Sequence, residues 1–307
     1  MNIFLCEPIH EDAYIKLKQN HNIIHSFEYI HQCEIVISRN LKIDKHFIDQ
    51  CPLLQLIVIH GTGYDNVDIE YVKQKHIHLV NTPGQNTLSV SELIITMMLE
   101  LSRQTLLLDK DFKKNKINSI APIQYLGHEI SNKVFGMIGV GNIALQTAQI
   151  LKNGFHMKII GYSRSLTKEK AQQFGIEYCE TMDDVFKQSD YISIGTSLNS
   201  DTYHMITKNQ LSLMKSTAYL INTARGAIIN EDDLYEVLKD RKIAGAGLDV
   251  LEDEPISYNH RLLQLDNVVY TPHIGGSTEE SLRRVGMAVV DVIEQYKTGK
   301  NSHHLLF

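Results

Sequence analysis

The 307-residue sequence has no tryptophan, only four cysteines and no long apolar run. Its cysteines (Cys6, Cys33, Cys51 and Cys179) form no C-x-x-C pair and are too sparse for a disulfide framework, so we expect reduced thiols in a cytoplasmic protein. No apolar stretch approaches the length of a membrane span, and the N-terminus lacks the basic and apolar segments of a secretory signal. The fifteen histidines are scattered without metal-ligand spacing, so no metal is predicted.

An excess of positive charge is also missing, because 30 Lys and Arg residues stand against 36 Asp and Glu residues. The formal net charge of −6 argues against nucleic acid or an anionic membrane as a partner. The remaining composition, with 43% hydrophobic and 21% charged residues, is ordinary for a globular protein. A chain of this length predicts two domains.

Short apolar segments alternate with helical segments along the chain, which is the pattern of βαβ units. Nearly continuous apolar runs are typical of parallel strands buried on both faces, so we predict an α/β fold with doubly wound parallel sheets. The predicted strands cover residues 2–6, 35–38, 56–60, 134–138, 158–162, 191–194, 218–222, 245–249 and 267–271. Long helices are predicted over about residues 87–111 and 278–296, with a domain hinge in or before the first of them.

The strongest local motif is V-F-G-M-I-G-V-G-N-I-A over residues 134–144, which reads as strand, G-x-G-x-x-A and helix. Gly139 allows the tight turn, Gly141 lets the backbone approach a pyrophosphate, and Ala144 is small enough for close packing of the helix on the strand. The helix that begins near Asn142 points N–H groups and its positive end at the phosphates. This pattern predicts a dinucleotide site, and the alternative is a tight βα turn without a ligand.

The strand at residues 158–162 ends without the acidic residue that usually binds the ribose 2′-hydroxyl of NAD. Ser163 and Arg164 follow it instead. A guanidinium suits a phosphate dianion, which a carboxylate would repel, so NADP(H) is predicted in preference to NAD(H). The alternative is that Arg164 stacks on the adenine while Ser163 still accepts NAD(H).

Three chemically active side chains follow successive apolar strands in the second half of the chain. They lie in the blocks I-N-T-A-R-G (221–226), G-L-D-V-L-E-D-E-P (247–255) and T-P-H-I-G-G (271–276). Ligands of open α/β folds bind at the carboxyl edge of the sheet, where Arg225, Glu254 and His273 would meet. Arginine clamps a carboxylate, histidine exchanges a proton near neutral pH, and glutamate holds the imidazole. A structural ion pair is the alternative for any one of them.

These blocks together resemble the D-isomer-specific 2-hydroxyacid dehydrogenase family. The resemblance runs nearly end to end, and it includes G-T-G-Y-D-N-V-D (61–68) and N-T-L-S-V-S-E (86–92). It implies an NAD(P)-dependent oxidoreductase that transfers a hydride between the nicotinamide and a small D-2-hydroxy acid or 2-oxo acid such as glyoxylate or hydroxypyruvate. It also implies a Rossmann cofactor domain, residues 93–277, inserted into a flavodoxin-like substrate domain, residues 1–92 and 278–307.

The resemblance further implies roles for single residues. Arg225 would bind the substrate carboxylate and carbonyl, and His273 would be the general acid in reduction, with Glu254 as its partner. The implied cofactor-binding positions are Thr62, Gly139, Gly141, Asn142, Ile143, Ser163, Arg164, Thr196, Thr223, Asp249 and Gly276. The implied substrate-binding positions are Arg39, His60, Gly61 and Arg225. A homodimer is expected, with the helix over about residues 87–111 as a contact.

Two alternative functions stay open at this point. One is 3-phosphoglycerate dehydrogenase of serine synthesis, which Arg39 would suit as a ligand of the phosphate, whereas the alternative for Arg39 is a solvated arginine at a strand end. His60 argues against it, because an arginine would serve a phosphate better there. We also expect no C-terminal regulatory domain of the kind that some serine-pathway relatives carry. The other is a nicotinamide-sensing corepressor-like binding protein, which shares the fold and the three active side chains.

Overall fold

The computed structural model describes residues 1–299 and 305–306 of the chain. The strands are β1 (Asn2–Leu5), β2 (Asn22–Ile24), β3 (Ile35–Ser38), β4 (Leu56–Ile59), β5 (His78–Val80), β6 (Val134–Ile138), β7 (Lys158–Tyr162), β8 (Glu177–Tyr178), β9 (Tyr191–Ile194), β10 (Tyr219–Asn222), β11 (Gly245–Leu248) and β12 (Val268–Tyr270). The α-helices are α1 (Glu11–Asn20), α2 (Lys45–Asp49), α3 (Ile69–Gln74), α4 (Thr87–Arg103), α5 (Thr105–Lys113), α6 (Asn142–Phe155), α7 (Lys168–Phe174), α8 (Met182–Gln188), α9 (Lys208–Leu211), α10 (Glu231–Lys239) and α11 (Glu279–Lys297). Short 3₁₀ helices cover Phe27–Gln32, Ile123–Tyr125, Gly226–Ile228 and Arg261–Gln264.

Two compact units divide the chain. Unit 1 is Met1–Ser89 together with the chain from Gly276 onward, and unit 2 is Val90–Gly275. The assignment of substrate to residues 1–92 and 278–307, and of cofactor to residues 93–277, remains a prediction. Residues 300–304 and 307 of the predicted substrate domain lie outside the described part of the chain.

The sheet of unit 1 is parallel throughout, in the order β2-β1-β3-β4-β5. Successive side chains of a strand point to opposite faces, and β1 shows the consequence clearly. Ile3 and Leu5 pack with buried residues of α1 and α11, whereas Phe4 packs with residues of α2 and α3 on the other face. Helices therefore cover both faces, as predicted for a doubly wound sheet.

The sheet of unit 2 is also parallel, in the order β12-β11-β10-β9-β6-β7-β8. Phe135 and Met137 face one apolar cluster with α4, α6 and α7, and Ile138 faces the other cluster with α8, α9 and α10. Because the strands are parallel, all their carboxyl ends lie at one edge of the sheet. The loops after β6, β7, β9, β10, β11 and β12 therefore share that edge, which is where ligands bind in such sheets.

The predicted strands match structural strands, with ends that differ by a residue at most, but three short ones were missed. These are β2, β5 and β8, which hold two or three residues each and lie at sheet edges, so they carry too little apolar pattern to detect.

The single long helix predicted over residues 87–111 is wrong in one respect, because the structure breaks it into α4 and α5. Gln104 adopts a left-handed conformation (φ 52°), and the Glu100 carboxylate accepts the N–H of Leu106 and the hydroxyl of Thr105. The carboxylate thus caps the second helix across the break. Over the described residues, no helix is long and apolar enough to cross a bilayer.

Candidate active site

The glycine-rich turn between β6 and α6 is shaped for a phosphate-bearing ligand. Gly139 has φ 92°, its N–H donates to the Tyr162 carbonyl at 2.8 Å, and a Cβ there would lie 2.6 Å from the Gly195 carbonyl carbon. Only glycine fits that position. At Gly141, the N-cap of α6, a Cβ would meet nothing within 4 Å. Open space beside the start of a helix, with its N–H groups, fits a pyrophosphate.

The loop after β7 carries Ser163 and Arg164, the two residues predicted to bind the ribose. The Ser163 hydroxyl lies 3.3 Å from that of Ser165, and Arg164 Nη1 donates to Asp201 Oδ2 at 2.7 Å. Both members of this ion pair are largely exposed, at 64% and 68%. Asp201 lies in the loop after β9, far from Arg164 in sequence, so sequence reasoning did not find it. The strand end carries no carboxylate, but its arginine has one as a partner.

The predicted cofactor residues divide between the two units. The residues of unit 2, all near the carboxyl ends of its strands, are Gly139, Gly141, Asn142, Ile143, Ser163, Arg164, Thr196, Thr223 and Asp249. Thr196 lies against the turn, because a Cβ on Gly139 would sit 2.7 Å from its nitrogen. Thr62 and Gly276 belong to unit 1 instead.

Arg225 is presented by a turn that Asn222 organises. The Asn222 side chain is buried, donates to the Arg225 carbonyl at 2.8 Å and accepts the Ala224 N–H at 3.0 Å. The turn is therefore closed from both sides by one amide. Arg225 is half-buried, and its Nη1 donates to the Ala224 carbonyl at 2.7 Å. This contact holds the guanidinium near the strand end.

His273 and Glu254 meet, as predicted from the sequence. His273 Nδ1 lies 2.8 Å from Glu254 Oε2, and the two side chains are 36% and 31% exposed. A carboxylate without its proton only accepts hydrogen bonds, and in that state of Glu254 the donor of this contact is Nδ1. The other ring nitrogen, Nε2, is then the one that can exchange a proton with a substrate.

Asp249 holds the backbone around His273. Its buried carboxylate accepts the Thr271 hydroxyl at 2.6 Å and the N–H groups of Ile274 and Gly275, both at 2.8 Å. Its carbonyl accepts the His273 N–H at 2.7 Å. Burial raises the pKa of the Asp249 carboxyl, and these hydrogen bonds oppose the rise. They also hold His273 in a left-handed conformation, φ 53°, which a non-glycine residue rarely adopts.

In unit 1, Arg39 follows β3 and lies in a loop that Glu7 organises. The Glu7 carboxylate accepts the N–H groups of Arg39, Asn40 and Leu41 at 2.8 to 3.4 Å, and Arg39 Nη1 donates to the Pro8 carbonyl at 3.1 Å. Glu7 was not predicted, although its place directly after the first strand is a usable signal. The guanidinium already has a main-chain carbonyl as a partner.

His60 and Gly61 follow β4. The His60 side chain is buried, its Nε2 has no hydrogen-bond partner among the described residues, and burial followed by the charge of Arg39 lowers its pKa to about 4. The imidazole is therefore neutral at physiological pH. The Gly61 N–H donates to the Thr82 hydroxyl at 2.9 Å, and the Thr62 carbonyl accepts from Asn81 at 2.9 Å. These contacts fix the loop that His60 begins.

Within residues 1–299 and 305–306, no group of three or more His, Cys, Asp or Glu side chains is arranged to hold a metal ion.

Comparison with known proteins identifies the family. The family model for the NAD-binding domain of D-isomer specific 2-hydroxyacid dehydrogenases matches residues 95–275. A glyoxylate reductase from Thermococcus litoralis is 40% identical over 252 residues, which cover 80% of this chain and 74% of that protein. The chain belongs to the D-isomer specific 2-hydroxyacid dehydrogenase family. This 2-hydroxyacid dehydrogenase is an oxidoreductase that acts on CH–OH groups with a nicotinamide cofactor, as predicted.

Solved structures of the same fold carry both kinds of nicotinamide cofactor. An acyclic imino acid reductase (Bsp5) in complex with NADPH and D-Arg has a TM-score of 0.87 and 29% identity, and the match covers both chains fully. A D-lactate dehydrogenase from Aquifex aeolicus, in complex with NAD and lactic acid, has a TM-score of 0.84 and 28% identity over 97% of this chain and 96% of that one. This 2-hydroxyacid dehydrogenase therefore shares its fold with users of either cofactor.

Proposed function

We propose that this 2-hydroxyacid dehydrogenase reduces a small, unphosphorylated 2-oxo acid such as glyoxylate or hydroxypyruvate, with NADPH preferred over NADH. The observation that carries the proposal is the 2.8 Å contact between His273 and Glu254 at the sheet edge that also presents Arg225. A proton donor with its carboxylate partner and a fixed guanidinium are what the reduction of a 2-oxo acid needs.

Arg225, His273 and Glu254 have distinct roles in the proposed reduction of a 2-oxo acid. A bound reduced nicotinamide supplies the hydride that reaches the carbonyl carbon. Arg225 binds the substrate carboxylate and the adjacent carbonyl oxygen, so it stabilises the negative charge that develops there. His273 donates its Nε2 proton to that oxygen, while Glu254 accepts from Nδ1 and keeps the ring oriented. In the oxidative direction the same nitrogen accepts the proton.

The charges in unit 1 favour an unphosphorylated substrate. His60 is neutral, because its pKa is about 4, so it adds no positive charge beside Arg39. A phosphate dianion is bound best by several cations together. This weakens the alternative of 3-phosphoglycerate dehydrogenase. The glyoxylate reductase from Thermococcus litoralis, at 40% identity, supports glyoxylate or a near relative.

The preference for NADPH rests on the loop after β7. Arg164 supplies a guanidinium, Ser163 a hydroxyl, and the strand end has no carboxylate to accept a ribose 2′-hydroxyl. Such groups suit a 2′-phosphate. The open space beside Gly141 and the start of α6 would take the pyrophosphate, and Thr196 would lie at the cofactor beside that turn. Thr223 and Asp249 would lie toward the nicotinamide.

An absorbance assay of nicotinamide oxidation tests both parts of the proposal. Wild-type protein is assayed with glyoxylate, hydroxypyruvate, pyruvate and phosphohydroxypyruvate, each with NADPH and NADH. We expect turnover of the first two with a higher kcat/KM for NADPH. Highest activity on the phosphorylated acid would support the serine-pathway alternative. Binding of nicotinamide without turnover of any acid would support the corepressor-like alternative.

The role of His273 has its own test. His273→Gln removes the titratable proton, so we expect kcat to fall by about two to four orders of magnitude. The Kd of NADPH, followed by its fluorescence, is expected to stay within a factor of two or so, because the ring's hydrogen bond is to Glu254 and not to the dinucleotide turn. His46→Gln, an exposed histidine of α2, is the control and keeps wild-type kcat. A His273→Gln enzyme with unchanged kcat would refute the assignment.

We also propose a homodimer in the cytoplasm. The segment of residues 104–126 in unit 2 exposes large apolar side chains to an unusual extent, which favours association with a second copy. These side chains are Leu106 (64%), Phe112 (66%), Ile120 (99%), Ile123 (80%) and Leu126 (69%). All four cysteines are free, and three of them are buried, which suits a reducing compartment.

A further inference from the structure

Glu252 fixes the loop of residues 251–255, which carries Glu254. Its Oε1 accepts the Tyr203 hydroxyl at 3.0 Å, and its Oε2 lies 3.0 Å from His204 Nε2. Its backbone N–H donates to the Glu231 carboxylate at 2.6 Å. Both the side chain and the main chain of Glu252 are therefore held, by residues from two different segments of unit 2.

The groups that hold Glu252 are themselves anchored. The rings of Tyr203 and His204 are stacked, with centroids 4.0 Å apart, and the His204 N–H donates to the Ala227 carbonyl at 2.8 Å. His204 has a left-handed backbone conformation, φ 47°, which a non-glycine residue rarely adopts. His260 Nε2 lies 3.2 Å from the second oxygen of Glu231. The attachment points thus have little freedom of their own.

The same loop also packs against the turn that carries Arg225. A Cβ on Gly226 would lie 1.9 Å from the Leu251 carbonyl carbon, so the backbone of the loop packs directly on the residue after Arg225. The Leu251 N–H donates to Glu254 Oε1 at 3.2 Å, while Oε2 of the same carboxylate meets His273. A shift of residues 251–252 would therefore move Glu254 relative to His273.

We propose that Glu252 is a positioning residue for the reduction: held by Tyr203 and His204, it places Glu254 against His273. This inference rests on the proposed roles of Glu254 and His273. Glu252 itself touches neither of them, so it acts only through the loop. Displacements of about 1 Å at reacting groups cost up to about a hundredfold in rate, which sets the size of the expected effect.

The test compares kcat, the KM of the 2-oxo acid and the Kd of NADPH in a set of variants. We expect Glu252→Ala to lower kcat by about 10- to 100-fold while the Kd of NADPH stays unchanged. Glu252→Gln recovers most of the rate, because its amide oxygen still accepts the Tyr203 hydroxyl. Tyr203→Phe removes a single hydroxyl from an exposed ring and lowers kcat a few-fold. The control Asp253→Ala, an exposed neighbour in the same loop, keeps wild-type values.

A double variant separates positioning from a general structural role. If Glu252 acts through Glu254, Glu252→Ala combined with Glu254→Gln loses no more activity than Glu254→Gln alone. Losses that multiply, or a Glu252→Ala enzyme with wild-type kcat, would overturn the inference. Failure of the proposed function looks different, because Glu254→Gln alone then leaves kcat unchanged, and the inference falls with it. The unfolding temperature of each variant identifies any rate loss that is caused by unfolding.

Discussion

The exposed carboxylate of Asp201 offsets part of the positive charge that Arg164 presents to a ligand. Asp201 accepts from the guanidinium at 2.7 Å, on the side of the molecule where we propose the 2′-phosphate of NADPH. A carboxylate near a phosphate dianion repels it, and exposed charges are screened by salt. Asp201 is therefore expected to weaken the preference for NADPH over NADH that Arg164 supplies.

Removing that charge is expected to sharpen the choice of cofactor. Asp201→Asn should tighten binding of 2′,5′-ADP by about two- to fivefold at low ionic strength, with no change for 5′-AMP, and the gain should shrink in high salt. Glu180→Gln, which removes one charge from the exposed pair with Lys168, is the matched control and changes neither ligand. Weaker binding of 2′,5′-ADP to Asp201→Asn would contradict the expected repulsion between Asp201 and the 2′-phosphate. It would indicate that Asp201 orients the guanidinium of Arg164.

His60 links the stability of the protein to acid. Its pKa in the folded protein is about 4, below the ordinary 6.5, so the fold favours the neutral ring. Above pH 6.5, His60 does not lower the free energy of unfolding, because its ring is neutral in both the folded and the unfolded chain. As the pH falls from 6.5 through about 4, only the unfolded chain takes up the proton readily, so the free energy of unfolding decreases. The loss amounts to about 3 kcal/mol by pH 4.

Urea unfolding at pH 7 and pH 4 measures this acid sensitivity. We expect the free energy of unfolding of His60→Gln to change less between the two pH values than that of the wild type. His46→Gln, at an exposed position of unit 1, should keep the wild-type difference. An equal pH dependence in all three proteins would remove His60 as its cause.

In the β6–α6 turn, two glycines that lie two residues apart are expected to serve different purposes. Gly139 is needed for folding, and Gly141 for binding of the cofactor. Gly139→Ala meets a backbone contact at 2.6 Å and an unsuitable φ, so we expect it to cost about 2–4 kcal/mol of stability. Gly141→Ala meets open space, so its unfolding temperature stays near the wild type, while the Kd of NADPH rises roughly tenfold, as for a lost hydrogen bond to a charged group. Unchanged NADPH affinity in Gly141→Ala would place the pyrophosphate elsewhere.

The elements also show how far the sequence alone could lead. Strands buried on both faces, such as Val134–Ile138, are recognised by their apolar runs. Glu254 and His273 were found because each follows a strand that the sequence predicts, β11 and β12 respectively. The break at Gln104 was not visible, because it depends on a carboxylate that caps the next helix. Asp201 was missed for a related reason. It matters through a partner distant in sequence, and no local pattern encodes that pairing.

At the scale of the whole molecule, the exposed apolar segment of residues 104–126 predicts association. We expect the wild type to run as a dimer in light scattering, and the double variant Phe112→Glu/Ile123→Glu to shift to a monomer with an unchanged far-ultraviolet circular dichroism spectrum, because the charges would be buried without partners in the dimer. Tyr258→Glu, which changes a more exposed residue outside the segment, should stay dimeric. A wild type that is monomeric at micromolar concentration would refute the homodimer.

The way in which unit 1 is assembled from both ends of the chain has a consequence for its synthesis. One face of its sheet, which includes Ile3 and Leu5, is covered in part by Val289 and Ile293 of α11. Because a ribosome makes the chain from its N-terminus, the part of that face which α11 covers stays exposed until all of unit 2 has emerged. Unit 2 is continuous in sequence and can fold first. The nascent chain thus passes through an aggregation-prone interval that ends only when α11 docks.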